Sequence, residues 1–284
     1  MLTHSNTPIA AGSAADFAAY MRSKDRFAKR AAVLGVRLNG TRTPRHNKNG
    51  VILYEGPSTL DGSPIVVIAT GLDDASANNK TGAMIQTWIL RADMTPLQAV
   101  AFGLDDAICG ECPHRGLNGD KRTCYVTLFQ APLNVYKTYT RGRYAKASAA
   151  EASKIFAGKR VRLGSYGDPG AVPVSIWRAV TQRAVGWTGY THQWRRRPSL
   201  RPYCMASCDS AAESVEAARK GWRFFRVGSV ASVALSGETL CPASEEAGRR
   251  TTCERCGLCA GTTSTSRKSI MIPAHGASKA KVNG

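Results

Sequence analysis

The stretch Cys253-Glu254-Arg255-Cys256-Gly257-Leu258-Cys259 restricts this chain more than any other. Three cysteines at C-x2-C-x2-C spacing sit close enough to hold three corners of one inorganic cluster. Cys241 stands twelve residues upstream, in a Cys-Pro pair. Three neighbouring thiolates with a remote Cys-Pro match the ligand arithmetic of a [4Fe–4S] cubane. Structural zinc also takes four thiolates, but its usual signature is two separated C-x2-C pairs. The sequence between these cysteines is polar and turn-forming, which argues against a disulfide or free-thiol cluster in a core strand.

A second group lies upstream, in Cys109-Gly110-Glu111-Cys112-Pro113-His114 followed by Cys124-Tyr125. Three cysteines on a cubane leave one iron open to substrate or cofactor. The same residues with His114 as a fourth ligand would also suit zinc, and spacing leaves both metals open. Cys204 and Cys208 flank an expected strand and read as buried thiols outside the metal set.

Nine cysteines in a short secreted chain would suggest disulfides. Here the start, Met1-Leu2-Thr3-His4-Ser5-Asn6, has neither a basic region nor an apolar core. No apolar run reaches membrane-spanning length. The expectation is a cytoplasmic chain whose cysteines are ligands, with no membrane partner. The 284 residues, 43% hydrophobic, suffice for one large or two small domains. The net charge of +19 favours a polyanionic partner, most simply nucleic acid.

Residues 13–34 carry a helix pattern: Ser13 and Asp16 at the start, apolar anchors at Phe17, Tyr20, Met21 and Leu34, and Gly35 as terminator. Arg22, Lys24, Arg26, Lys29 and Arg30 populate its other face, and Arg37, Arg42, Arg45 and Lys48 follow in a basic loop. Strands are expected at Val51–Glu55, Ile65–Thr70 and Met84–Leu90, and a helix capped by Thr95 with Pro96 in its first turn. Lys80 lies in the loop between the second and third strands, where it can meet a phosphate or carboxylate. Tyr125–Tyr139 and Ala145–Phe156 read as helices.

From residue 160 strands and helices alternate: Arg160–Ser165, helix Val174–Val185, Thr188–Thr191, Met205–Ser207, a helix capped by Ser210, then Phe224–Val227. Alternation of this kind implies parallel βα units whose strand ends share one rim. Polar residues collect after those strands: Ser165, Asp168, His192, Gln193, Asp209 and Arg226, with Arg195-Arg196-Arg197 beside them. Strand carboxyl ends carry the sites of α/β folds. Asp168, His192 and Asp209 are therefore the candidate catalytic residues, and Lys80, Arg195 and Arg226 the candidate substrate or phosphate ligands. The fold class expected is α/β: a partial (β/α) barrel-like core of parallel strands, an N-terminal helix and small β region, and a C-terminal cysteine-rich segment. The domain organisation expected is a basic helix and loop over 1–50, a core over 51–261 carrying both cysteine groups, and a tail over 262–284.

The order of motifs resembles a phage family, the gene product 88 proteins. The matching features are Asn79-Lys80-Thr81-Gly82, a cysteine group closing on Cys124-Tyr125, the strand ending Tyr166-Gly167-Asp168 and the Tyr190-Thr191 strand. Cys241-Pro242 with Cys253, Cys256 and Cys259, and then Ala274-His275-Gly276, complete the set. That family is similar to radical S-adenosylmethionine proteins. The resemblance implies a barrel-like core and an active [4Fe-4S] cluster on Cys109, Cys112 and Cys124. It also implies an auxiliary cluster on Cys241, Cys253, Cys256 and Cys259, with S-adenosylmethionine as cofactor and a reductant as partner. The upstream spacing, C-x2-C-x11-C, departs from the C-x3-C-x2-C of radical enzymes, and no Gly-Gly-Glu motif follows the next strand. The function expected is modification of nucleic acid or a nucleotide-linked substrate in a host cytoplasm. The alternative is a non-enzymatic, zinc-binding, nucleic-acid-binding protein.

Overall fold

The computed structural model describes residues 46–74, 78–116, 122–229, 231–248, 250–264 and 266–274. The helix expected over 13–34, nearly all of the basic segment after it and the last residues of the chain lie outside the described residues.

The first hairpin forms because two β-branched, apolar runs flank a turn. Strand β1 (Gly50–Pro57) pairs antiparallel with β2 (Pro64–Thr70). Between them Gly62 takes a left-handed φ of 80°, and the turn is closed by Ser58 N–H donating to Ser63 C=O. Ile65, Val66, Val67, Ile68 and Ala69 are all fully buried. A continuous apolar run of this kind belongs to a strand covered on both faces. Strand β3 (Ile85–Arg91) lies antiparallel on the other edge of β2.

Beyond β3 every pairing is parallel. The strands are β5 (Arg160–Tyr166), β6 (Gly186–Thr191), β7 (Met205–Cys208), β8 (Phe224–Gly228), β10 (Ser269–Pro273) and β9 (Glu238–Leu240), in that spatial order. With the short β4 (Ala145–Lys146) beside β1, the whole is a ten-stranded, mostly parallel sheet in a mixed α/β fold. Strand β10 lies in the segment set apart as a tail, yet it sits between β8 and β9 and is wholly buried. Its Ile270-Met271-Ile272 core is too apolar to be left in water.

Helices begin where side chains can satisfy their first N–H groups. Thr95 and Gln98 form a capping box ahead of α1 (Pro96–Ala101), and a four-residue α2 (Asp106–Cys109) follows. The helix expected over Tyr125–Tyr139 is shorter, α3 (Ala131–Thr140). Pro132 has no N–H to donate and is tolerated only in a first turn, so residues 125–130 stay outside the helix. Ser148 and Glu151 form a second capping box, at α4 (Ala149–Ile155). The crossovers between parallel strands use α5 (Val174–Thr181) and α6 (Ala211–Arg219), the latter capped by Ser210 as expected.

Alternation along the parallel strands gives the sheet two unlike faces. Val161 and Leu163 of β5 enter the main core with Phe156, Trp177 and Val180. Arg162 and Gly164, one residue out of step, turn to the other face, where a smaller cluster of Met205, Cys241, Ala243, Cys259, Ile270 and Ile272 lies.

Ile68→Ala should destabilise the fold by about 2–5 kcal/mol, because β2, paired on both edges and fully buried, cannot collapse into the space. Val215→Ala, on the half-exposed face of α6, should change stability by no more than about 0.5 kcal/mol. Urea unfolding midpoints of the two variants check the contrast.

Candidate metal centre

All seven cysteines of the two groups line one cavity of about 360 Å³ on the second face of the sheet. Its walls include Arg162, Thr188, Tyr190, Phe225 and Val227 from the strands, and Lys80, Tyr125 and His192 from the loops.

The upstream group is assembled by its own backbone. Cys109 ends α2, and Gly110, at φ 57°, turns the chain sharply. Cys112 leads into a 3-10 turn, Pro113–Arg115. The N–H groups of Thr123 and Cys124 both donate to the carbonyl of His114, at 3.1 and 2.9 Å, which carries Cys124 back across eleven intervening residues. Arg115 is buried and ties the loop down. Its guanidinium bonds Asp105 at 2.5 Å and donates to the carbonyls of Gly103 and Gly110.

The downstream group is held from three directions. Cys241 N–H donates to Met271 C=O of β10 at 2.8 Å, and Gly189 N–H of β6 to Cys259 C=O at 3.1 Å. The third is the loop Asn78–Gly82. Asn78 Oδ1 accepts from the N–H groups of Lys80 and Thr81, and the Lys80 and Thr81 carbonyls accept from Cys253 and Glu254. The Glu254 carboxylate accepts in turn from Ala83 N–H at 2.9 Å. A Cβ on Gly82, already at φ 67°, would meet that carboxylate at 2.5 Å. The short helix α7 (Cys253–Cys256) is thus docked on this loop, with Thr252 as N-cap and Gly257 left-handed behind it.

Burial pushes the thiols of Cys109, Cys124, Cys241 and Cys253 upward, and that of Cys259 up to about 12. Buried thiols in an apolar shell become thiolates when positive charge arrives, and a bound metal supplies it outright. Among the described residues, no three of these sulfurs lie within 4.8 Å of one another. A single tetrahedral zinc with bonds of about 2.3 Å would need them roughly 3.8 Å apart. A cubane, with a separate iron for each thiolate, spreads its ligands more widely. A set made wholly of thiols suits soft metal centres, iron–sulfur clusters and zinc alike.

The polar residues after the strands divide into two kinds. Asp168 reaches the cavity wall, but both oxygens are engaged. Oδ1 accepts from Gly170 N–H and Thr191 Oγ1, at 2.7 and 2.6 Å, and Oδ2 from His192 N–H at 2.7 Å. Burial raises its pKa, and these donors restrain the rise. Asp168 is a staple between the ends of β5 and β6. His192 and Asp209 are different. Asp209 Oδ2 meets His192 Nε2 at 3.1 Å, and Oδ1 meets His114 Nε2 at 2.8 Å. Burial opposes charge on both His192 and Asp209. The Cys112 thiol and Asp209 nevertheless raise His192 well above its usual range, and hydrogen bonds from the two histidines lower Asp209.

Of the three cations expected to bind substrate, Lys80 alone lines the cavity; burial there lowers its pKa. Arg195 turns outward, bonds Glu213 and Glu216 at 3.1 and 2.7 Å, and lies over Trp194 with 4.0 Å to the ring centroid. Arg226 follows Phe225 and precedes Val227, both cavity residues, so strand alternation sends it to the opposite face. There it pairs with Glu238 at 2.6 Å.

Arg162, Tyr166 and Tyr190 belong to the site; Arg162 was not singled out from sequence, and the two tyrosines were read only as motif residues without a role. Arg162 is deep in the wall and bonds Tyr125 Oη at 2.5 Å, and its Nε has no acceptor among the described residues. Burial works against its charge, but Tyr125, Tyr190 and Cys253 outweigh that and raise its pKa. Tyr190 packs on Phe225 at 4.5 Å and hydrogen-bonds Cys259. The signal for Arg162 was available: a charge between two buried apolar residues in a parallel strand needs a reason. No family model, curated protein or solved structure matches the chain.

Asp168→Ala would leave three buried donors without an acceptor. It should lower stability by roughly 3 kcal/mol or more, as seen by urea unfolding. A fully stable variant would count against the staple and return Asp168 to the reactive groups.

Proposed function

We propose that this chain is a radical S-adenosylmethionine-like iron–sulfur protein that modifies nucleic acid or a nucleotide-linked substrate, in line with its resemblance to the phage gene product 88 family. The observation that carries the reading is the convergence of both cysteine groups on one cavity, on one face of the parallel strands. In this reading the strands bend around that cavity as a partial barrel, and the protein works in a reducing cytoplasm.

Cys109, Cys112 and Cys124 would hold the cluster with an open corner, and Cys241, Cys253, Cys256 and Cys259 the auxiliary one. When bound and reduced by an electron-transfer partner, the open-cornered cluster supplies one-electron chemistry on S-adenosylmethionine. The chain's own residues position and shield. His192 hydrogen-bonds Cys112 and is braced by Asp209, which holds one cluster ligand in place. Lys80 and Arg162 add positive charge to a wall otherwise rich in sulfur, which offsets the thiolates and favours an anionic substrate. Tyr125, half exposed, offers a flat aromatic face beside Arg162 on which a base can stack. The apolar shell of Met205, Ile270, Ile272 and Phe225 keeps water from the downstream cluster. The charge of +19 supports a polyanionic substrate over a small neutral one.

Anaerobically purified protein should contain roughly eight irons with matching sulfide and a brown absorption band, as two four-iron clusters require. Cys112→Ala and Cys256→Ala should each lose about half of the iron. About two zincs without sulfide would overturn the reading and leave a zinc-stapled nucleic-acid binder. Affinity for single-stranded nucleic acid should fall steeply between about 50 and 200 mM salt, as measured by fluorescence anisotropy.

A further inference from the structure

We propose that His114, His192 and Asp209 form a separate site for one divalent transition-metal ion, beside the upstream cysteine group. The three come from different elements: the turn Pro113–Arg115, the residue after β6 and the residue after β7. One ligand atom from each lies within 4.8 Å of the other two. The two imidazoles aim Nε2 at the same carboxylate, one at each oxygen, at 2.8 and 3.1 Å. Ligand atoms around a metal with bonds of about 2.1 Å stand roughly 3 Å apart, so a small outward movement of the rings admits the ion.

The surroundings are those of an oriented ligand set. His114 Nδ1 lies 2.8 Å from Thr123 Oγ1, and a partner on the far nitrogen fixes the ring of a metal-bound histidine. The three side chains are 18, 18 and 22% exposed, which shields the site and still leaves a path to it. His114 and His192 both line the cavity, so open coordination positions would face the same space as the cysteines. Two imidazoles and one carboxylate select first-row divalent ions over calcium or magnesium. The competing occupants are protons on the imidazoles, which satisfy the carboxylate without any metal.

The test is a manganese(II) titration of the full chain, purified anaerobically and freed of loose metal, with free ion read by electron paramagnetic resonance. Wild type should bind about one manganese beyond its other metals. Asp209→Asn and His114→Gln should bind at least about tenfold more weakly. Iron and sulfide should be unchanged in His114→Gln, a side chain that the proposed clusters do not use. Absence of saturable binding in the wild type, or equal binding in folded variants, would overturn the site in favour of protons. Should one variant fail to fold, the other decides, with Thr123→Val as a milder probe expected to weaken binding. Wild type without iron or sulfide would remove the cluster reading and leave this one standing.

Discussion

Burial of ionisable sulfur on one face of a mostly parallel sheet is the constraint to which the rest of the structure answers. Seven cysteines around one cavity bring either seven protonated thiols or a large negative charge. An apolar wall of Phe225, Val227, Leu258 and Ile270 tolerates the former and punishes the latter. Positive groups are accordingly set into the wall. Arg162 comes from the middle of β5, Lys80 from the loop before β3, and His192 from the end of β6. Each is placed by an element whose other face belongs to, or rests on, the main core.

The loops that carry the cysteines have little secondary structure of their own. They are held by contacts from far along the chain. Residues Asn78–Gly82 grip Cys253 and Glu254 through backbone bonds, and β10 receives Cys241. Arg115 and Asp105 anchor the upstream loop from beneath. A cavity built from segments so distant in sequence is complete only when the sheet holds them together. Metal bound there would be linked to the completeness of the fold.

Much of the fold was legible in local chemistry. The continuous run Ile65–Ala69, the Thr95 and Ser210 caps and the strand–helix alternation after residue 160 were readable because each depends on a few neighbouring residues. The length of α3 was misjudged because aromatic residues ahead of Pro132 extend an apolar pattern that the proline interrupts. The place of Ile270–Ile272 was not readable, since a five-residue apolar segment says nothing about the strands it will lie between. Arg195 and Arg226 looked like rim cations, and their carboxylate partners Glu216 and Glu238 are visible only in three dimensions.

The sequence by itself determined where two groups of closely spaced cysteines fall, and that parallel βα units would carry the polar loops. Those conclusions follow from spacing and periodicity, which are properties of the chain within a few residues. Tertiary structure alone decided that both groups share one cavity, and that Asp168 is a staple. It likewise decided that His114 meets His192 across a single carboxylate. Such pairings depend on strand order and on which face each residue takes, and a one-residue change of register would reverse them.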